Sequence, residues 1–377
     1  MEIGAYEVEA PLGKGGMAET FVALRRDGGF EQRVCIKRVL PELAADASFM
    51  RAFREEARVS AKLRHQNIVQ TLDFSTTDEH FLVLELIEGI DLRQALRHGE
   101  AVGQPLPAGL IAYIAHELSA ALAYAHDCGV IHRDISPSNV LLSEAGEVKL
   151  SDFGIAQALG STRFTTEGMV KGKLPYMAPE YARSGNATPA TDIYALGVTL
   201  YECVAGQRPF RAKNAVDMLQ ASLAGEFEPL NTDHAPRELL RIIEGCIDAA
   251  PTVRPGSARA LLEALESAPP PATARRLLGR HVRALREANA APVEGDAETE
   301  LAPYEAGTVA LTATPSPAAD EVIDAPADAE TRTRPRAVLD NDEAAPDATV
   351  PATSRWPMAT ALAVLLLALA LAAYLLR

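Results

Sequence analysis

Cysteine is scarce in this chain: 4 in 377 residues, at Cys35, Cys128, Cys203 and Cys246, with no CxxC pair among them. That scatter excludes a disulfide framework and a cysteine-based zinc site, and it suits a reducing compartment. Aromatic residues make up only 5% of the chain, with a single tryptophan, and no segment repeats with the period of a solenoid. A basic stripe is also missing. Lys and Arg number 36 against 51 Asp and Glu, so no nucleic-acid partner is expected. The opening residues, Met1 to Tyr6, lack a basic region running into an apolar one, so no signal peptide is expected.

The negative charge is concentrated in one place. Between Ala290 and Thr353 stand 14 acidic residues and 3 arginines, which is most of the net charge of −15 and leaves the remainder near neutral. That stretch is rich in Ala, Pro, Asp, Glu and Thr and nearly free of aromatics. It has too little apolar surface to offset its ordering entropy, so 290–355 is expected to be a disordered linker. Ahead of it, 268–289 holds a proline break (Pro269, Pro270, Pro271) and then a basic helix carrying Arg275, Arg276, Arg280, Arg283 and Arg286. Behind it, the 21 residues 356–376 contain no charge and are mostly Ala and Leu. As a helix they would cross a hydrocarbon core of roughly 30 Å. Arg355 and Trp356 at one edge and Tyr374 and Arg377 at the other suit interfacial anchoring. A buried helix of a soluble domain would need a surrounding domain, which the linker does not offer. Residues 356–376 are therefore expected to form one transmembrane helix. Arg332, Arg334, Arg336 and Arg355, set against Arg377, place the amino-terminal part in the cytosol.

Within the periodic region, 6–267, short motifs follow one another in a definite order. Leu12-Gly13-Lys14-Gly15-Gly16-Met17-Ala18 lies between two strand-like segments that include Tyr6 and Thr20. Such a turn lets backbone N–H groups approach phosphates without interference from a Cβ, although an ordinary hairpin would read the same way. Val34-Cys35-Ile36-Lys37 follows, and alternation puts Cys35 and Lys37 on one face. Glu55 and Glu56 lie on the next helical segment. Phe81 to Leu86 form an apolar strand, explained as well by core packing as by a binding role. His132-Arg133-Asp134 leads to Asn139, then come Asp152-Phe153-Gly154 and Ala178-Pro179-Glu180. Val130-Ile131 and Val140-Leu141-Leu142 read as short apolar strands on either side of the His132–Asn139 segment.

In this order and spacing the motifs resemble the bacterial eukaryotic-like Ser/Thr protein kinases over 6–267. The resemblance implies an α+β, two-lobed fold: a small lobe of antiparallel strands with one helix, a larger and mainly helical lobe, and ATP between them. It implies Asp134 as catalytic base, Lys37 on the α- and β-phosphates, and Glu56 rather than Glu55 holding that lysine. Asn139 and Asp152 would hold Mg2+. Leu12, Gly13, Lys14, Gly15, Gly16 and Thr20 would cover the nucleotide, with the backbone around Glu85 to Ile87 on adenine, Leu84 as gatekeeper and Asp91 near the ribose. Glu180 would pair with Arg254, and Asp192 would support the catalytic loop. Arg133 would receive a phosphorylated activation loop, for which Ser161, Thr162, Thr165 and Thr166 are available. Implied partners are ATP, protein substrates, the inner membrane and a second copy for trans-autophosphorylation.

Two departures stand out. Ala18 occupies the third glycine position of the loop. Ser136 stands where the family carries lysine, and Lys173 stands where it carries threonine, side chains that in the family meet beside the base. Read as an exchange, the pair keeps one cation near the γ-phosphate and favours an active enzyme over a pseudokinase scaffold. Read otherwise, Lys173 is a surface charge and Ser136 a tolerated substitution. Pro137 after Ser136 favours Ser/Thr over Tyr substrates. A small-molecule phosphotransferase would share the loop chemistry but lack Ala178-Pro179-Glu180.

Overall fold

The computed structural model describes residues 1–76, 79–153, 174–210, 212 and 215–290, without the side chains of 56, 215, 216, 289 and 290. All of them fall in one unit, Met1–Leu311. Six strands open it: Glu2–Ile3 (β1), Tyr6–Lys14 (β2), Ala18–Asp27 (β3), Phe30–Val39 (β4), Thr71–Thr76 (β5) and His80–Glu85 (β6). They form one antiparallel sheet in the order β1-β2-β3-β4-β6-β5. Alternation decides its faces. Val34, Ile36, Phe81 and Val83 join Ile3, Tyr6 and Ala23 in one apolar cluster. Leu82 turns the other way and meets Val39, Met50, Phe53 and Ala57, with Leu84 packed alongside.

Met50, Phe53 and Ala57 belong to Ala47–Ser60 (α2), which follows the single turn Pro41–Ala44 (α1). Helix α2 starts where it does because the Asp46 carboxylate accepts from the N–H groups of Ser48 and Phe49, at 2.8 and 3.2 Å. Cys35 and Lys37 alternate with Val34 and Ile36, so they share the α2 side of the sheet, as the sequence implied.

The second lobe carries a small antiparallel sheet of Gly89–Asp91 (β7), Val140–Ser143 (β8) and Val148–Leu150 (β9). Its helices are Leu92–Val102 (α3), Ala108–Asp127 (α4), Pro179–Ser184 (α5), Pro189–Ala205 (α6), Ala215–Ala224 (α7), Arg237–Cys246 (α8), Ala258–Leu265 (α9) and Ala274–Ala290 (α10). Among the described residues α4 is long and apolar enough to cross a membrane, but it is mostly buried and serves as a core helix.

Packing continues beyond the limits that the sequence suggested. Ile3 is 0% exposed, ahead of Tyr6. Past Ser267, α10 adds Leu278, Val282 and Leu285 to the core of the large lobe. Fully burying each contributes roughly 1.5–3 kcal/mol. The proline break is itself used, since the Pro271 ring lies so close to Gly109 in α4 that a Cβ there would stand 2.9 Å from it. One strand expectation fails. Val130 and Ile131 have no ladder partner, and the Val130 N–H instead bonds back to the Ala125 carbonyl at the end of α4. An apolar pair can pack without pairing. Val140, by contrast, opens β8 as expected. The linker from 291 and the 356–376 span lie outside the described residues.

Candidate active site

The segment 131–139 runs between α4 and β8, and Asp192 of α6 holds it from beneath. Asp192 is 0% exposed. Its carboxylate accepts from the backbone N–H groups of His132 and Arg133, both at 2.8 Å, and from His126 Nε2 at 2.8 Å. Three donors satisfy a buried carboxylate and bind the loop to the helix. The hold is needed because Arg133 sits at φ 67°, a left-handed backbone that costs a non-glycine residue about 1–3 kcal/mol. His132 supplies a second tie. Its Nδ1 accepts from the Asp134 N–H at 3.2 Å, so Nε2 carries the proton and donates to the Ser151 carbonyl at 2.9 Å. Burial pushes its pKa below the usual histidine range and keeps the ring neutral. The ring also packs on Phe153, centroid to centroid 4.5 Å. His132 thus joins the Asp134 backbone to the segment that bears Asp152.

Above this frame the polar side chains converge. Asn139 donates through Nδ2 to the Asp134 carbonyl at 2.6 Å and to its Oδ2 at 3.0 Å. The Ser151 N–H and Oγ both donate to the Asn139 carbonyl, at 2.9 and 3.1 Å. Asp152 follows at φ 57°, a second left-handed non-glycine residue. Lys37 reaches across from β4 to place Nζ 2.6 Å from Asp152 Oδ1. Beside it, burial and then the Asp152 charge push the Cys35 thiol up to about 12, so it stays protonated and inert at neutral pH.

The glycine-rich turn joins β2 to β3. The Gly15 N–H donates to the Ala18 carbonyl at 2.8 Å, Thr20 Oγ1 donates to the Gly13 carbonyl at 3.2 Å, and Lys14 pairs with Glu19 at 2.9 Å. Leu12 is 54% exposed at its edge. A Cβ on Gly13 or Gly15 would meet its nearest neighbour at 3.6 Å, an ordinary contact, and neither residue has positive φ. The hairpin alone does not require these glycines. A ligand approaching the backbone would. On the neighbouring strand β6, Leu84 lies opposite Cys35 in the ladder. The Glu85 carboxylate is committed to Lys149 Nζ, at 2.8 and 3.0 Å, and to the Gln70 N–H at 2.8 Å. Ile87 lies in the 86–88 connection to β7. Asp91 caps α3 by accepting from Gln94 N–H and Nε2, at 2.8 and 2.9 Å, and burial raises its pKa.

These residues fit a magnesium nucleotide. Asn139 and Asp152 offer hard oxygen donors of the kind that would hold Mg2+. Among the described residues no group of three or more His, Cys, Asp or Glu side chains could hold a metal on its own. Gly16 lies in the same turn; the side chain of Glu56, and the segment 154–173 with Ser161, Thr162, Thr165, Thr166 and Lys173, lie outside what the structure describes. Ser136 is buried, with Oγ 3.0 Å from Ser138 Oγ. Arg254 meets Glu180 in the expected pair, through Nη1 at 2.7 Å and Nη2 at 2.9 Å.

Two contributors escaped the motif reading. Lys149 holds Glu85 from β9, and a lysine between Val148 and Leu150 was the available sign that a buried cation had a carboxylate to meet. Asn67 joins the lobes: its Nδ2 donates to Glu117 Oε2 at 2.6 Å and to the Val148 carbonyl at 2.9 Å, while its carbonyl accepts from the Leu150 N–H at 2.8 Å.

A β lobe and a helical lobe that bring a lysine, two aspartates and an asparagine together beside a glycine hairpin define a phosphotransferase cleft. Residues 6–265 match the protein kinase domain, and the chain belongs to that family. It is 39% identical over 277 residues to the tyrosine-protein kinase MasK of Myxococcus xanthus, across 70% of this chain and 43% of that protein. It is 37% identical over 224 residues to the serine/threonine-protein kinase PrkC of Bacillus subtilis, across 59% of this chain and 34% of that protein. The chain thus spans less than half the length of either relative. The crystal structure of the Mycobacterium tuberculosis PknI kinase domain superposes with a TM-score of 0.54 at 27% identity, covering 71% of this chain and 97% of that domain.

Proposed function

We propose that this chain transfers the γ-phosphoryl group of ATP to serine and threonine hydroxyls of proteins in bacterial signalling, and that 356–376 tethers it to the inner membrane with the kinase domain in the cytosol. The meeting of Lys37 with Asp152 at 2.6 Å and of Asn139 with Asp134 at 3.0 Å carries the reading. Asp134 accepts the proton of the substrate hydroxyl as its oxygen bonds to the γ-phosphorus and the bond to the ADP leaving oxygen breaks. Lys37, which Glu56 would hold, positions the α- and β-phosphates, and Asn139 and Asp152 are the residues that would hold magnesium. That ion, when bound, neutralises charge on the phosphate oxygens. Leu12, Gly13, Lys14, Gly15, Gly16 and Thr20 cover the phosphates, the Glu85 and Ile87 backbone meets adenine, and Asp91 meets the ribose.

Among the described residues the buried Nε of Arg133 has no hydrogen-bond partner, which supports its assignment as receiver of a phosphate on the 154–173 segment. Two copies of the chain would deliver that phosphate to one another. Serine and threonine are preferred because PrkC carries that specificity in its name and Pro137 follows Ser136. Tyrosine is the second reading, favoured by the 39% identity to MasK.

The purified full chain, incubated with ATP and magnesium, is expected to yield phosphoserine or phosphothreonine, and Asp134→Asn none. Phosphotyrosine alone would transfer the preference to the second reading. A wild-type chain that stays unphosphorylated, and phosphorylates no added protein, would leave a pseudokinase scaffold. Deleting 356–377 should release an active kinase into the soluble fraction, and sedimentation of that shortened chain with membranes would refute the anchor.

A further inference from the structure

Glu144 stands in the turn between β8 and β9 with its groups engaged on two sides. Its N–H donates to the carbonyl of Glu88, the last residue of the 86–88 hinge connection, at 2.8 Å. Its carbonyl accepts from Arg283 and its carboxylate pairs with Arg286, both on α10. The rest of the turn is gripped in the same way. Arg275 donates to the Ala145 carbonyl at 3.3 Å and to Glu147 at 3.0 Å. Backbone meets backbone with no room to spare: a Cβ on Gly279 would stand 2.5 Å from the Glu144 carbonyl, and one on Gly146 would stand 1.8 Å from the Arg275 carbonyl. Leu278, Val282 and Leu285 fasten the adjoining flank of the helix to the large-lobe core. Helix α10 therefore has a fixed base and a polar face turned to the turn under the hinge. It also begins nine residues after the kinase-domain match ends at 265, at Ala274.

We infer that α10 is a positioning element of the nucleotide site, setting through Glu144 where the hinge connection lies. The main-chain route is continuous. Gly89 pairs with Ser143 in the β7–β8 ladder, Glu88 bonds to Glu144, and α10 fixes Glu144 from the far side. A shift of α10 moves the turn, the turn moves the exit of the hinge, and with it go the backbone at Glu85 to Ile87 and the Asp91 carboxylate. The inference rests on the proposed assignment of those residues to adenine and ribose.

The test uses the full chain and N-methylanthraniloyl-ATP with magnesium as probe, read beside the steady-state constants and thermal unfolding. Gly279→Leu wedges α10 away from Glu144, while Arg283→Ala with Arg286→Ala removes the grip without a wedge. Each is expected to raise the probe Kd and the KM for ATP by about fivefold, with kcat at saturating ATP kept within about twofold, because the loss falls on binding geometry rather than on the base. Arg283→Lys with Arg286→Lys should recover much of the affinity, and the exposed Arg280→Ala should change nothing. A helix that only stabilises the lobe would lower the unfolding temperature and the active fraction yet leave the probe Kd untouched. That outcome in the arginine double variant, which does not overpack the core, would overturn the inference. Failure of the wild-type chain to bind the probe would instead overturn the nucleotide-site reading beneath it.

Discussion

At the scale of single residues, the acidic pair and its lysine decide whether chemistry occurs. Lys37 lies 22% exposed against Asp152 in a cleft where solvent screening is partial. Lys37→Ala should abolish phosphate positioning and Asp152→Ala a magnesium ligand, so either change should remove autophosphorylation by about a hundredfold or more while the unfolding temperature stays close to that of the wild type. Near-normal turnover in either purified variant would show that the site has been misassigned. The Ser136 and Lys173 positions offer a finer test. If the two form an exchanged pair, Lys173→Thr alone loses most activity and Ser136→Lys with Lys173→Thr regains a good part of it. Additive effects in that kinetic cycle would dispose of the exchange.

That Lys37 would meet Asp152, and Asn139 would meet Asp134, was legible in the sequence because each sits inside a short motif whose order is itself informative. Lys149 was not, since its meaning depends on Glu85, 64 residues away, and nothing local pairs the two.

Among the elements, α5 and the segment after α8 are bolted together by Arg254. Its side chain is 0% exposed, and besides Glu180 it donates to the carbonyls of Asp248, Ala190 and Ala249 and lies 4.7 Å from the Tyr194 ring. Removing one partner of a buried pair strands the other. Glu180→Ala should therefore destabilise by about 3 kcal/mol, the low end for such a break because three carbonyls remain, whereas Glu180→Ala with Arg254→Met should cost less than the single change. Chemical denaturation of the three proteins reads this directly, and equal losses in the single and double variants would mean that the pair carries little. This contact was expected from the motif positions. The seat of α10 was not, because an amphipathic pattern shows that a helix has an apolar side and says nothing of which surface receives it. Val130-Ile131 erred for a related reason: apolar character is local, while strand pairing needs a partner.

For the whole molecule, three histidines give stability one direction with pH. Burial lowers the pKa of His132, His65 and His281, the last aided by the charge of His98 on α3. Each therefore binds its proton less readily folded than unfolded, where the value is about 6.5. The unfolded chain takes up more protons as pH falls, so stability is full above about pH 6.5 and is lost on acidification toward the folded values. Thermal unfolding at pH 5.5 should occur at a lower temperature than at pH 7.5, and His281→Gln should flatten part of that dependence. An unfolding temperature that is level or rises over this interval would contradict it.

The glycine hairpin has a consequence for how such a chain could decay. Neither Gly13 nor Gly15 has positive φ, and a Cβ at either would make only an ordinary contact at 3.6 Å, so the fold does not demand glycine at either position. In a lineage that kept the fold only as a scaffold, these would be among the first residues free to drift. Both are still glycine, beside a Lys37 and an Asp152 that still meet. Gly13→Ala with Gly15→Ala should accordingly leave the unfolding temperature unchanged or slightly higher, since alanine loses less entropy on folding, while weakening ATP use several-fold. A fall in both together would mean that the fold needed the glycines after all. A fall in ATP use alone would mark them as residues retained for the nucleotide's sake.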